Sequence, residues 1–409
     1  MRKLKPLAFL GLAAIFGGIA LAAQAPNIMA EWASVKAPSP PALSAVTVDP
    51  AKTALLIISF DKKVCSAADR TRCPAAIPKV KALLDAARAA HMLVVHGYTT
   101  TQMPADMAPD LAPTASEPIV RAAGDKFLNS GLDKILKDKG ITDVIVAGTA
   151  GNGAVLFTVV GGATQGFNLI VPVDTMPADS AYHEQFALVE MNDIGFLHAR
   201  TKLTRSDMIA FAGQPARSQG AGEPDIMREW ASIRPPAAPT LAPVTIDAAK
   251  TALLVMDFNS ENCTPQMRAR CAAAIPAVRK LLDTARARKM FVVQVITTAM
   301  KPADIVSELK PAAGEPVLQI QGDKFYRSDL EKMLKEKGIT RVIATGSTGN
   351  GAVLLTTIGG VSRGFDVVVP VDTMPGATAY HEQFAIFEIA DVNFLHAHSV
   401  LTRSDMIRF

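Results

Sequence analysis

The sequence is one domain-sized unit written twice. The heptapeptide at 28–34, IMAEWAS, returns as IMREWAS at 226–232, and the offset of 198 residues holds without a gap as far as Asp207 and Asp405. A repeat of about 180 residues is a domain rather than a turn of a solenoid. We therefore predict two copies of one fold in tandem. The first domain is predicted at 27–210, a Gly-, Pro- and Ser-rich linker at 211–225, and the second domain at 226–409.

Within each unit, short apolar runs alternate with segments of helical periodicity. The first unit has predicted strands at 54–58, 92–95, 144–147, 169–173 and 196–203, and predicted helices at 77–90, 127–139, 154–164 and 183–191. Such alternation predicts an α/β fold whose parallel sheet is covered by helices on both faces. Ligands of such sheets bind at the carboxyl ends of the strands.

The N-terminus resembles an export signal. A basic start, Met1–Lys5, is followed by an apolar run to about Ala22 that ends in small residues. This pattern predicts a signal peptide over 1–22 and a periplasmic or secreted protein with no membrane segment after cleavage. The alternative is an uncleaved anchor helix, for which the run is short.

The charge balance argues against a nucleic-acid partner. The formal net charge is +4, and three of the basic residues lie in the predicted signal peptide. The mature chain would be near +1, without a basic patch for a phosphate backbone.

The four cysteines form two equally spaced pairs, Cys65 with Cys73 and Cys263 with Cys271. In an exported chain this pattern predicts two disulfides. Zinc binding is the alternative, but seven intervening residues are not a zinc spacing. A reactive thiol at Cys65 or Cys263, each just past the first strand of its unit, is a third possibility.

A glycine-rich turn follows the third apolar strand of each unit. It reads GTAGNGAVL at 148–156 and GSTGNGAVL at 346–354. A turn from a buried strand into a helix directs backbone N–H groups toward an anion or a developing oxyanion. We predict ligand contacts in both copies, from Gly151, Asn152, Gly153, Ala154, Gly349, Asn350, Gly351 and Ala352. The asparagine of each turn either caps the following helix or faces the ligand.

These motifs together resemble the isochorismatase-like cysteine hydrolases. In the second unit the resemblance rests on the strand and acid at 252–259, the segment at 322–325, the turn at 346–356, and the stretch at 379–381. It extends over nearly all of both units. It implies a three-layer α/β/α fold and a Cys–Asp–Lys triad, in which a thiolate attacks a carbonyl and the acid moves the proton.

Both units depart from that triad. The cysteine position holds Ala154 in the first unit and Ala352 in the second, and the acid position holds Ser59 and Asp257. The resemblance, with a five-residue offset to the Lys-Phe pair, places Arg121 and Gln319 at the lysine position. Lys126 and Lys324 then match a second basic position of the family, and Lys324 serves only in a different register.

Two functions remain open. The first is a degenerate hydrolase whose glycine-rich turns bind a small anionic or carbonyl ligand without thiol catalysis. The second is an active hydrolase with Asp257 as base, the 349–352 amides as oxyanion site, and Arg121 or Lys324 as electrostatic support. Some relatives bind a metal through an Asp/His set that is not evident here, so we predict no metal and no cofactor.

Several other residues have two interpretations each. His183 and His381 either line a pocket or bond locally at a helix start. Asp174 and Asp372 are expected to fix turns, and lining the pocket is the alternative. The Pro-rich segment at 27–50, with Trp32, either packs across the other unit or forms an ordinary surface lead-in. Because relatives often build their pocket between subunits, we expect the two units to form an intramolecular pseudo-dimer. A higher oligomer is also compatible with the sequence.

Overall fold

The computed structural model describes residues 26–213 and 226–409. The predicted signal peptide and residues 214–225 of the predicted linker lie outside these ranges. Within them, none of the helices combines the length and the apolar character that a membrane crossing requires.

The first unit contains eight strands and six helices in its described part. The strands are β1 (Val46–Val48), β2 (Thr53–Ile58), β3 (Leu93–Tyr98), β4 (Ile119–Arg121), β5 (Asp143–Gly148), β6 (Asn168–Pro172), β7 (Thr201–Thr204) and β8 (Ile209–Phe211). The helices are α1 (Ile28–Glu31), α2 (Cys73–Ala89), α3 (Leu132–Asp138), α4 (Leu156–Thr164), α5 (Ala181–Asp193) and α6 (Gly195–His198).

The second unit repeats this order. Its strands are β9 (Val244–Thr245), β10 (Thr251–Met256), β11 (Phe291–Ile296), β12 (Val317–Gln319), β13 (Arg341–Gly346), β14 (Asp366–Pro370), β15 (Ser399–Thr402) and β16 (Ile407–Arg408). Its helices are α7 (Ile226–Glu229), α8 (Ala269–Ala287), α9 (Leu330–Glu336), α10 (Leu354–Val361), α11 (Ala379–Asp391) and α12 (Asn393–His396).

Each unit has a six-stranded parallel sheet with helices on both faces, as the alternation predicts. The strand order is β4-β3-β2-β5-β6-β7 in the first unit and β12-β11-β10-β13-β14-β15 in the second. The direction of winding reverses between β2 and β5, and between β10 and β13. In open α/β sheets this switch point leaves a crevice at the carboxyl ends of the strands.

Three element predictions need correction. The predicted strand at 196–203 is α6 followed by β7, and the predicted helix at 127–139 begins only at Leu132. The turn before Leu132 is held by local bonds, with Phe127 N–H donating to Asp125 Oδ1 at 2.8 Å. The predicted linker begins too early, because Phe211 is the last residue of β8 and pairs with Val48 of β1.

The two units share one hydrophobic core. Buried side chains of α4 and α5 and their counterparts in α10 and α11 belong to one continuous cluster, while the other face of each sheet has a cluster of its own. In the shared cluster the ring centroids of Phe186 of α5 and Phe384 of α11 lie 4.0 Å apart. The small and apolar composition of α4 is explained by this position, since eight of its nine residues are buried.

The Pro-rich segments cross between the units. Trp32 Nε1 donates to the Pro236 carbonyl at 2.8 Å, and Trp230 Nε1 donates to the Pro38 carbonyl at 2.8 Å. Of the two interpretations of the N-terminal segment, the structure therefore has the one in which it packs across the other unit.

Candidate active site

The candidate site of each unit lies at the switch point of its sheet. In the second unit Met256, the last residue of β10, pairs with Gly346, the last residue of β13. Asp257 follows the first of these strands and the glycine-rich turn follows the second. The equivalent residue of the first unit, Ser59, has the same left-handed backbone, with φ of 52° against 57° at Asp257. The two positions are therefore structural counterparts.

The second unit holds a buried ion pair at this point. Lys324 Nζ lies 2.7 Å from Asp257 Oδ2 and also donates to the Ile320 carbonyl at 2.8 Å. The Lys324 side chain is 0% exposed and the Asp257 side chain 10%. Burial raises the pKa of Asp257, and the Lys324 charge opposes that rise. The backbone N–H of Thr297 also acts on the carboxylate and lowers its pKa, but Asp257 Oδ1 is buried with no donor at hydrogen-bonding distance among the described residues.

The lysine beside the acid is Lys324, which corrects the sequence-based placement of that position at Arg121 and Gln319. Gln319 ends β12 and its Nε2 donates to the Met300 carbonyl at 2.6 Å. Arg121 ends β4, donates from Nη1 to the Gln102 carbonyl at 2.6 Å, and its side chain packs over Tyr98. Both residues are exposed. The five-residue offset failed because the chain turns after the short strand and brings the later lysine inward.

The first unit keeps the lysine but has no carboxylate beside it. Lys126 Nζ donates to the Ala122 carbonyl at 2.7 Å, and its side chain is fully buried. Ser59 Oγ instead faces the Gly97 carbonyl at 3.4 Å. Burial lowers the pKa of Lys126 to about 8, with the nearby Asp125 opposing the shift. The two candidate sites therefore differ in charge although their backbones correspond.

The amides of the glycine-rich turn are partly used inside the protein. Gly349 N–H donates to the Pro375 carbonyl at 3.0 Å, and Gly351 N–H donates to Thr348 Oγ1 at 3.1 Å. Their counterparts at Gly151 and Gly153 donate to the Pro177 and Ala150 carbonyls. The predicted row of free donors over 151–154 and 349–352 is thus shorter than the sequence suggests.

Glycine itself is required at the fourth position of the turn. A Cβ placed on Gly349 would lie 2.3 Å from the Met374 carbonyl oxygen, far inside van der Waals contact. The same holds at Gly151, where the distance to the Met176 oxygen would be 2.4 Å. These glycines therefore allow close packing of the turn on the segment that follows β6 or β14.

The asparagines of the turns have partners that sequence reasoning did not foresee. Asn152 Nδ2 donates to Glu388 Oε2 at 2.9 Å, and Asn350 Nδ2 donates to Glu190 Oε2 at 3.1 Å. Each bond joins one unit to the other. The predicted choice between helix cap and ligand contact is therefore replaced by a contact between the units.

The histidines also bond across the units. His183 Nε2 lies 2.9 Å from Asp391 Oδ2, and His381 Nε2 lies 3.0 Å from Asp193 Oδ2. The predicted local bond is present as well, because Nδ1 of each ring bonds a nearby hydroxyl, that of Ser180 or Thr378. The bond across the units was not foreseen.

Asp174 and Asp372 fix turns, as predicted. Each carboxylate accepts the backbone N–H and the hydroxyl of one serine, Ser206 or Ser404, at 2.6 to 2.8 Å.

All four cysteines are bonded in pairs, as predicted. The Cα atoms are 5.0 Å apart in Cys65–Cys73 and 5.1 Å apart in Cys263–Cys271. Since the sequence has only four cysteines, none retains a free thiol, which removes the catalytic alternative for Cys65 and Cys263. Among the described residues, no cluster of His, Cys, Asp and Glu side chains could hold a metal ion.

Arg268 is a site residue that sequence reasoning missed. It immediately precedes α8, and its Nη2 is buried without a hydrogen-bond partner among the described residues. Burial lowers the pKa of Arg268, and the charge of Asp257 opposes that shift. The available signal was the repeat itself, since Arg70 occupies the equivalent position of the first unit.

Comparison with known proteins agrees with this architecture. The family model for the Isochorismatase domain matches residues 53–201 and 251–402. The chain belongs to the isochorismatase family. Each match covers one unit, so this isochorismatase-family chain carries the domain twice.

Each of the individual relatives matches a length of this chain that corresponds to about one unit. "Secreted isochorismatase effector Isc1" of Verticillium dahliae is 27% identical over 168 residues, which are 37% of this chain and 88% of that protein. An isochorismatase family protein from Desulfovibrio vulgaris is 18% identical with a TM-score of 0.35, over 38% of this chain and 95% of the other. An isochorismatase from Pseudomonas putida is 19% identical with a TM-score of 0.35, over 45% and 99%.

Proposed function

We propose that this isochorismatase-family protein binds a small carbonyl or anionic ligand in its second unit, without thiol catalysis. The observation that carries the proposal is the 2.7 Å pair of Asp257 and Lys324 at the switch point of the sheet. A buried ion pair is costly to maintain for stability alone. One carboxylate oxygen of this pair still lacks a donor, so a ligand N–H or O–H has a position to fill.

The absence of a thiol supports binding without covalent catalysis. Ala352 is buried beside the turn where the family resemblance expects the nucleophile, and all four cysteines are in disulfides. A methyl group can neither attack a carbonyl nor form a thioester. The first unit has Ser59, Ala154 and no carboxylate beside Lys126. Its role is structural, because it packs against the second unit.

A second candidate function is hydrolysis by an activated water. Burial raises the pKa of Asp257, which makes its carboxylate a stronger base toward a proton of the attacking water. Lys324 would then stabilise negative charge that develops on the ligand oxygen.

Calorimetric titration with benzamide, a neutral carbonyl probe, tests the binding proposal. Asp257→Asn should abolish the signal, whereas Ser59→Ala, the matched change in the first unit, should leave it unchanged. Equal binding by wild type and Asp257→Asn would refute the assignment of the site to the second unit.

A panel of amide, ester and vinyl ether substrates separates the two candidates. The binding proposal expects no turnover from purified mature protein. Turnover that disappears in Asp257→Ala would instead establish the hydrolase.

We further propose that the chain is exported and cleaved after Ala22. The supporting observations are the sequence pattern and a relative that is itself named as secreted. N-terminal sequencing of the protein from culture medium or periplasm should begin at Ala23.

A further inference from the structure

The candidate site of the first unit is occupied by one of the protein's own carboxylates. Arg70 Nε lies 2.6 Å from Asp179 Oδ1, and Arg70 Nη1 donates to Thr149 Oγ1 at 2.6 Å. Thr149 follows directly after β5, so this guanidinium lies at the switch point of the sheet. The Asp179 side chain is 52% exposed. The carboxylate therefore covers the arginine from the solvent side.

The second unit has the arginine without that carboxylate. Arg268 corresponds to Arg70 at the repeat offset, but Ala377 stands where the first unit has Asp179. Ala377 is exposed, and its methyl group has no oxygen that could accept from a guanidinium. Arg268 Nη2 has no hydrogen-bond partner among the described residues, and Asp257 acts on this arginine through charge.

A buried guanidinium donor without an acceptor is unfavourable, and a carboxylate is the acceptor that matches its planar, forked geometry. In the first unit the backbone places a carboxylate, that of Asp179, next to Arg70. The second unit lacks that carboxylate-bearing side chain, and it has Asp257 in place of Ser59.

We propose that the second unit binds a ligand carboxylate on Arg268, in the place that Asp179 fills on Arg70. This inference rests on the proposed function and names its ligand class, a small carboxylic acid with a second polar group such as a carbonyl. The carboxylate lies at the solvent side of the site and the second group reaches Asp257 and Lys324. The first unit, closed by Asp179, binds no such ligand.

The test uses the full chain, with benzoate and its neutral isostere benzamide as probes. Calorimetry should find one benzoate per chain, held more tightly than benzamide. Ala377→Asp supplies the internal carboxylate and should weaken benzoate binding about tenfold or more, leaving benzamide binding nearly unchanged. Because Ala377 is exposed, this variant should fold, and circular dichroism checks that it does.

The matched variant in the first unit works in the opposite direction. Asp179→Ala uncovers Arg70 and should raise the number of bound benzoates from one to two. Arg268→Gln should remove the site of the second unit in either background.

The possible failures are distinguishable. If benzoate and benzamide bind equally and neither responds to Ala377→Asp, while Asp257→Asn abolishes both, the carboxylate subsite is refuted and the proposed function stands. If neither probe binds at millimolar concentration, both proposals are refuted.

Discussion

Asn152 of the first unit donates a 2.9 Å hydrogen bond to Glu388 of the second, and Asn350 returns the contact to Glu190 at 3.1 Å. Both glutamates are 0% exposed. In each pair one carboxylate oxygen and the amide oxygen have no partner among the described residues. The turn that forms one wall of each candidate site is thus also part of the interface between the units.

These buried carboxyls make the stability of the protein depend on pH. Burial raises the pKa of Glu388 to about 8 and that of Glu190 well above its usual value. A group whose pKa is higher in the folded than in the unfolded protein stabilises the folded state. This stabilisation is fully present below the pKa of the unfolded state and is lost as the pH rises through the pKa of the folded state. We expect the melting temperature to fall between about pH 4.5 and pH 8 for this reason.

The double variant Glu190→Gln/Glu388→Gln isolates this effect. Glutamine keeps the shape and an acceptor for each asparagine but does not titrate, so the melting temperature should fall less with pH than in wild type. The neighbouring carboxylates of Asp193, Asp391 and Asp179 are present in both proteins, so their effect cancels in the difference. Parallel curves for the two proteins would contradict the prediction.

The two buried lysines should respond in opposite ways to removal of their charge. Lys324→Met leaves Asp257 buried without its partner and should cost about 3 kcal/mol of unfolding free energy at pH 7. Lys126→Met removes a buried charge that bonds carbonyl oxygens and has only the attraction of nearby Asp125 to offset its burial, so it should be neutral or stabilising by about 1 kcal/mol. Urea unfolding of both variants measures the difference. Similar losses would show that the Asp257 pair is not what distinguishes the sites.

Each disulfide should contribute a similar amount to stability, because both close loops with the same sequence separation of 8 residues. Loop closure predicts about 2–3 kcal/mol for each. Two double variants each remove one disulfide, namely Cys65→Ser/Cys73→Ser and Cys263→Ser/Cys271→Ser. Thermal unfolding without reductant should show a similar loss of stability in both. A loss confined to one pair would point to local packing rather than chain entropy.

An isolated second unit, residues 226–409, should form a homodimer. The contacts between the units are reciprocal, which means that each contact occurs twice with the roles of the two units exchanged. One unit therefore carries both of the residues that such a contact requires. In one such contact Arg72 bonds Glu184 of its own unit and Glu229 of the other, and Arg270 repeats this with Glu382 and Glu31. An isologous interface requires this self-complementarity.

Light scattering of this isolated unit should give twice its mass, and the full chain should be a monomer. A monomeric second unit with intact secondary structure would show that reciprocity alone does not provide enough interface.

The fold was predictable because its signals are local and appear twice. The continuous apolar runs of β2 and β5 and the glycines before α4 determine strand, turn and helix without reference to distant residues. The prediction failed for short elements. The three residues of β4 carry too little periodicity to be recognised, and α6 was mistaken for part of a strand.

The candidate site was only half predictable. Asp257 follows a strand and could be identified from its position, whereas Lys324 and Arg268 reach it from separate loops. Their approach depends on how the chain turns after β12 and before α8, which no spacing rule describes.

The sequence by itself determined the duplication and the α/β architecture, and it predicted the cysteine pairs that the structure confirmed. These properties follow from composition, local periodicity and short-range spacing. The tertiary structure alone decided which lysine meets Asp257, that the asparagines bond across the units, and that Asp179 covers Arg70 while Arg268 is uncovered. Such contacts join residues far apart in the chain, and their distances are set by the packing of two whole units around one shared core.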